Sequence, residues 1–183
     1  MNRFVRSCLR IVTLAVPAFI ALGCLEIRTT EHRIRVNEDG SGDHSLRLID
    51  LRSDAVGDSA IGADYRGLIA GFENELDKEF DVKGRKITEK RLYARGDTLI
   101  GELTYTVREI SHIEGLRVTE DELFVNIGPE REIVRTNGKI SAGERDQTKI
   151  TWDRDATRLL YVIRERHWTG GTLLGPWHRG DKR

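Results

Sequence analysis

The sequence predicts an α+β fold: an antiparallel, curved meander sheet of about seven or eight strands covered by one main amphipathic helix. Short β-rich segments separated by turn residues recur from Leu25 to Arg166, whereas only Ala63–Phe80 carries a long helical period. Charged residues make up 33% of the chain and apolar ones 38%. That composition supports a thin core, one sheet covered on one side, in preference to a deep multilayer enzyme.

The chain opens with Arg3, Arg6 and Arg10 and no acid, followed by an uncharged run from Ile11 to Gly23 that contains Pro17. The run has the length of a signal-peptide core and falls short of the roughly 20 apolar residues of a membrane span. Its end, Ala21-Leu22-Gly23-Cys24, resembles the lipobox of bacterial lipoproteins. The resemblance implies cleavage before Cys24, acylation of that cysteine with palmitate-type chains, and a membrane anchor. The alternatives are an ordinary secretory signal with Cys24 an incidental thiol, and an uncleaved anchor helix, which has to accept Pro17 in mid-run and a core several residues short. Residues 1–23 are therefore expected as a cleaved signal peptide, 24–168 as a single domain tethered by Cys24, and 169–183 as a flexible polar tail. Leu25 stands where an inner-membrane retention signal would place Asp, so in a diderm host the expected site is the outer membrane, facing the periplasm.

Loss of residues 1–23 leaves 27 basic residues against 30 acidic ones. The two signs are interspersed, which argues against a nucleic-acid face. Cys8 leaves with the signal and Cys24 would carry lipid, so the mature domain has no disulfide and relies on its core.

Leu25–Val36 has strand character, although Ile27 and Ile34 differ in parity. Asn37–Asp43 is a dense turn signal, and Leu46 and Leu48 resume the alternation, completing a hairpin. Asn37, Asp39, Ser41 and Asp43 also alternate like a calcium loop. The bidentate Glu such a loop needs would fall at Leu48, so a plain turn is the stronger reading. Asp50–Gly62 reads as a loop or a frayed helix start.

In Ala63–Phe80, Tyr65, Leu68, Ile69, Phe72, Leu76 and Phe80 share one arc of the helical wheel. Gly67 and Gly71 weaken this helix by about 1 kcal/mol each relative to Ala, so packing must hold it. It either lies across the sheet or forms one wall of an apolar cleft, with Leu103 and Tyr105 opposite.

Val82–Tyr93 and Thr98–Val107 form a second hairpin through Arg95-Gly96-Asp97. That tripeptide matches an adhesion motif, but three residues in a Gly-Asp turn are weak support. Glu109–Leu116 predicts one or two helical turns. Leu123–Ile127, Glu132–Thr136, Lys139–Ala142, Lys149–Trp152 and Arg158–Arg166 follow as short strands, with Asn137-Gly138 the strongest two-residue hairpin signal.

No catalytic constellation is legible. His32, His44, His112, His167 and His178 lack metal-ligand spacing. A hairpin turn centred near Gly40 would pair His44 with Val36 and His32 with Leu48, keeping the first two apart. There is no GxSxG, SxxK or nucleotide-binding glycine loop. Acid pairs such as Asp153/Asp155 and Glu120/Glu122 are ordinary in solvated turns. No metal or cofactor is called for.

With the lipobox and the Val36–Gly42 turn in place, the layout loosely resembles LppM-like bacterial lipoproteins of unknown function, without the C-terminal transmembrane segment of that group. The resemblance implies an envelope domain and no catalytic residue. The expected function is a non-enzymatic, membrane-anchored binding domain for a hydrophobic ligand or an envelope partner. A hydrophobic ligand would be walled by Tyr65, Leu68, Ile69, Phe72, Leu76, Phe80, Leu103 and Tyr105. The alternative is a structural or assembly lipoprotein acting through protein–protein contacts.

Overall fold

A computed structural model describes residues 25–168 and 170–180. Cys24 and the signal region lie outside the described residues, as do Thr169 and residues 181–183. The fold is α+β, mostly open antiparallel sheet with one main helix of 25 residues.

In chain order the elements are β1 Leu25–Val36, β2 Gly42–Ser53, α1 Asp58–Ala70, a π turn Gly71–Glu75, α2 Leu76–Val82, β3 Arg85–Arg95 and β4 Thr98–Val107. A short 3-10 turn Ile110–His112 follows, then β5 Arg117–Val118, β6 Glu122–Ile127, β7 Arg131–Thr136, β8 Lys139–Ala142, β9 Thr148–Asp153 and β10 Arg158–Glu165. The described chain closes with β11 Thr172–Leu173 and α3 Gly175–Arg179. The strands form two sheets. The larger has the order β3-β4-β2-β1-β10-β7 with β11 beside β2, and the smaller has the order β5-β6-β9-β8. Strand order thus departs from a simple meander, because β10 returns from late in the chain to pair with β1.

Alternation of small and large burial along β2 and β4 shows why these segments are strands: every second side chain enters the core. The parity change noticed between Ile27 and Ile34 has a structural cause. In the β1–β2 ladder Ile27 pairs with Leu51 and Thr29 with Ile49, so Arg28 and Asp50 are skipped together. Asp50 has φ +66, a left-handed conformation that Asp tolerates better than most residues. Arg52 holds its carboxylate through two hydrogen bonds of 2.9 and 3.0 Å, and Arg28 adds an ion pair at 3.6 Å. Against β4 the register of β2 shifts between Ile49 and Leu51, which makes Asp50 a bulge there. Past this irregularity the buried positions of β1 are the even ones, His32 and Ile34.

The main helix runs from Asp58 to Val82, longer than the sequence suggests, and is interrupted by the π turn that starts at Gly71. Ile61, Leu68, Phe72, Leu76 and Phe80 are buried along it. It covers the β3-β4-β2 part of the large sheet's inner face, with Phe80 edge-on to Tyr105 at 5.0 Å. The small sheet covers the β1-β10 part, where Trp152 approaches Tyr161 at 6.0 Å. Helix, large sheet and small sheet share one continuous core.

Asn137-Gly138 does not form the expected hairpin. β7 pairs with β10 in the large sheet and β8 with β9 in the small one, so the dipeptide is the crossing between sheets. Asn137 Oδ1 accepts from Leu160 N and Trp152 Nε1, and its Nδ2 donates to Arg158 O. A Cβ on Gly138 would lie 2.7 Å from both Ile150 and Trp152. Close approach between sheets, and not a mirror-image turn, explains the glycine.

The segment expected as a flexible polar tail is corrected for residues 170–180. β11 pairs with Ser53 and Arg52 of β2, and Leu174 and Trp177 are buried. Trp177 lies against Gly62 of α1, where a Cβ would come within 3.0 Å of the indole. The apolar pair Leu174 and Trp177 anchors this stretch in spite of its basic, glycine-rich surroundings. Trp177→Ala should therefore lower unfolding stability by about 3 kcal/mol, as other buried aromatic truncations do. Urea denaturation followed by circular dichroism checks this, and an unchanged midpoint would mean that the segment is detached.

Candidate functional site

The eight residues expected to wall a cleft are brought together only in part, and where they meet they fill the space. Leu68, Phe72, Leu76, Phe80, Leu103 and Tyr105 are all buried members of the core. A Cβ added to Gly101, on the inner face of β4, would already touch Phe72, Leu92 and Leu51 at 3.6–3.7 Å. Tyr65 points elsewhere: its hydroxyl bonds His178 Nδ1 of α3 at 3.0 Å. Ile69 is half-buried. The helix thus lies across the sheet and is packed against it.

Within this core sits a polar chain that sequence reasoning placed wrongly. His32 and His44 do meet: His32 Nδ1 lies 3.1 Å from His44 Nε2, and His44 Nδ1 lies 2.6 Å from the Tyr105 hydroxyl. The cause is register. Val36 pairs with Gly42, the turn spans Asn37–Ser41, and Asn37 N donates to Ser41 O. Its centre is Asp39, so His44 opposes Ile34 and His32 opposes Leu46. The two imidazoles are diagonal neighbours on one face, within reach of each other. Tyr161 stacks on His32 at 4.2 Å between ring centroids.

If both rings are neutral, one proton per link satisfies the chain. Tyr105 donates to His44 Nδ1 and His44 Nε2–H donates to His32 Nδ1, or both links run the other way. Burial is the main force keeping His44 uncharged, reinforced by the Arg85 guanidinium, and together they lower its pKa to about 3. His32 is held well below its ordinary value by burial, then by His44, then by Arg131. Burial likewise raises the Tyr105 and Tyr161 phenols. Arg85 is itself fixed by His112 O at 2.9 Å and Glu114 at 3.0 Å, and Arg131 by Glu165 at 2.7 Å. Both imidazoles and Tyr105 are closed off from solvent, so this hydrogen-bonded chain is built into the core.

The acids have surface roles. Asp153 pairs with Lys139 at 3.1 Å, Glu122 pairs with Lys149, and Asp97 of the Arg95–Asp97 turn pairs with Arg179 at 3.0 Å. Asp39 accepts from Ser41 N and Ser41 Oγ inside its own turn, and these bonds lower its pKa. Among the described residues no group of three or more His, Cys, Asp or Glu is placed to hold a metal ion.

The remaining candidate is the solvent face of the large sheet, which divides into two parts. In one, Arg33 pairs with Glu31, Arg47 with Glu102 at 2.9 Å, and Arg91 with Glu102 at 2.5 Å, while Tyr93 donates to Glu102 at 2.7 Å. Glu89 adds a third carboxylate 4.0 Å from Arg91, so these three arginines are matched by three glutamates. In the other, a shallow groove of about 420 Å³ is lined by Arg33, Arg35, Arg135, Arg158, Ser45, Thr104 and Asn137, with Asp43 the one acid among its lining residues. Arg35, Arg135 and Arg158 have no carboxylate within ion-pairing distance among the described residues. Alternation along β1 could have put Arg33 and Arg35 on one face. Their meeting with Arg158 and Arg135 depends on a pairing across more than a hundred residues, which local pattern does not carry.

Comparison with protein-family models, curated proteins and solved structures finds no match to this chain.

The buried imidazoles impose a sign on the pH dependence of stability. In the unfolded chain they take up protons near pH 6.5, whereas the folded state resists protonation of His44 until about pH 3. Stability is therefore full above neutral pH and falls as pH drops from about 6.5 toward 3, with His44 alone removing about 2 kcal/mol by pH 5. Urea midpoints at pH 8 and pH 5 should differ accordingly. The double variant His32→Gln/His44→Gln should be weaker at pH 8 yet lose much less between the two; an unchanged difference would locate the pH response elsewhere.

Proposed function

We propose that the chain is a lipid-anchored envelope protein, held through Cys24, that works as a non-enzymatic binding domain by surface contact with an envelope partner. In a diderm host the lipobox-like end and the Leu25 that follows it favour the outer membrane, with the domain in the periplasm. The observation that carries the mode of action is the contrast between the two faces of the large sheet. The inner face is filled by helix, small sheet and their side chains, while the outer face keeps an open groove lined by exposed arginines. A packed interior disfavours an enclosed hydrophobic ligand, and an open groove that mixes arginines with Leu160 favours protein–protein contact.

Among the described residues no helix is long and apolar enough to cross a membrane; in this reading the anchor is the acyl group. β1 begins at Leu25, directly after the cysteine, so the strand's start is held close to the membrane.

Two measurements test the reading. Cys24→Ser should abolish palmitate labelling and move the protein out of the membrane fraction; labelling that survives would refute the lipid anchor. A photo-crosslinking residue at Ser45, which lines the outer face, should give a discrete adduct in cells that the same probe at Lys78 on the helix does not. A stoichiometric lipid retained by the Cys24→Ser protein in native mass spectra would instead favour the hydrophobic-ligand alternative.

A further inference from the structure

We propose that the arginine groove on the outer face of the large sheet receives an acidic, extended segment of a partner protein. The proposal rests on the reading of the chain as a tethered binding domain and adds the chemistry of its partner.

The argument begins with a local charge conflict. Arg35 of β1 and Arg158 of β10 are direct cross-strand partners, and like charges placed opposite each other weaken a sheet. Both are exposed and, among the described residues, without an ion pair, whereas elsewhere on the same face Arg47 and Arg91 pair with Glu102 and Arg91 also with Glu89. Asp43 pairs in register with Arg35 on its other side, so one carboxylate borders a groove lined by Arg35, Arg135 and Arg158, together with Arg33, which Glu31 pairs. The mature chain as a whole is slightly acidic, which makes the groove a positive exception able to steer an anionic partner.

The arrangement of the cations decides what kind of anion fits. Arg135 opposes Val162, four residues along β10 from Arg158. At about 3.4 Å per residue its Cα lies roughly 13 Å along the sheet from that of Arg158, on the next strand. Charges spread over that length match a row of single carboxylates better than one compact phosphate. Each guanidinium presents a planar fork suited to a carboxylate. Ser45, Thr104 and Asn137 add neutral hydrogen-bonding groups along the floor.

Distance from the anchor lets the groove stand clear of the chain's own membrane. Arg35 lies ten residues beyond Leu25 on the same strand, about 30 Å from the tethered end.

The test uses the full acylated chain in a neutral detergent with fluorescein-labelled decaglutamate as the probe, read by fluorescence anisotropy. Saturable binding is expected that weakens as salt rises, with Arg35→Gln/Arg158→Gln at least tenfold weaker and Arg117→Gln, an exposed arginine of the small sheet, within twofold of the parent. Arg158→Glu is the decisive variant: it should abolish binding while leaving the unfolding temperature equal or higher, because it replaces a like-charge pair by an opposite one. Three results would overturn the proposal: no saturable binding, equal loss in Arg117→Gln, or displacement of the peptide by millimolar inorganic phosphate or by phosphatidylglycerol vesicles. If the Ser45 cross-link forms but decaglutamate does not bind, the acidic-segment assignment falls and the tethered-binding reading stands. If decaglutamate binds but no cellular adduct forms from Ser45, the reading of the domain's role falls instead.

Discussion

The hydrogen bond from Asn37 N to Ser41 O, which closes the first turn at Val36–Gly42, fixes the register on which both faces of the large sheet depend. A two-residue slip would keep every side chain on its present face but change every neighbour. A slip toward a turn centred on Gly40 would set His32 opposite Leu48 and away from His44, and Arg35 would lose the flanking Asp43. Because β1 and β2 are the central strands, with β4 and β10 aligned on them, that register extends outward to Tyr105 on one side and to Tyr161 and Arg158 on the other. The turn is reinforced by Asn37 Nδ2 and Asp39 bonding Ser41, and by Ile110 N reaching Gly40 O.

The two faces manage charge in opposite ways. Inside, Arg85 and Arg131 are buried beside the histidine pair, and each is fixed by a carboxylate that remains partly exposed. Such an arrangement supports neutral imidazoles, which can share single protons along a chain without an unpaired donor. Outside, charges are close to water and their pairing is worth little individually. The surface is therefore free to leave some arginines unmatched, and that freedom allows a binding preference to be written there without disturbing the core.

Much of the secondary structure was legible because it follows from local alternation. The β1–β2 and β3–β4 hairpins, the helical arc from Leu68 to Phe80, and the short strands from Leu123 onward all carry a clear period. What could not be read was partnership. The Asn137-Gly138 pair has the chemistry of a tight hairpin, yet its asparagine is bonded to β10 and Trp152 from a different sheet. The histidine pair is hidden by a one-residue difference in the turn centre, Asp39 in place of Gly40, which shifts the cross-strand register by two. The arginine groove draws on β1, β7 and β10, and no window of sequence contains all three. The C-terminal segment was misjudged because two apolar anchors, Leu174 and Trp177, outweigh the polar residues around them.

Asn137 also gives the molecule a mechanical property. One side chain bridges the backbone of a strand in the large sheet and the indole of Trp152 in the small sheet, at the point where the chain passes between them. The two sheets are thereby riveted near the groove's edge, since Asn137 and Leu160 also line it. A force applied at the groove's edge would pass through Asn137 into both sheets at once, so the two sheets would resist it together.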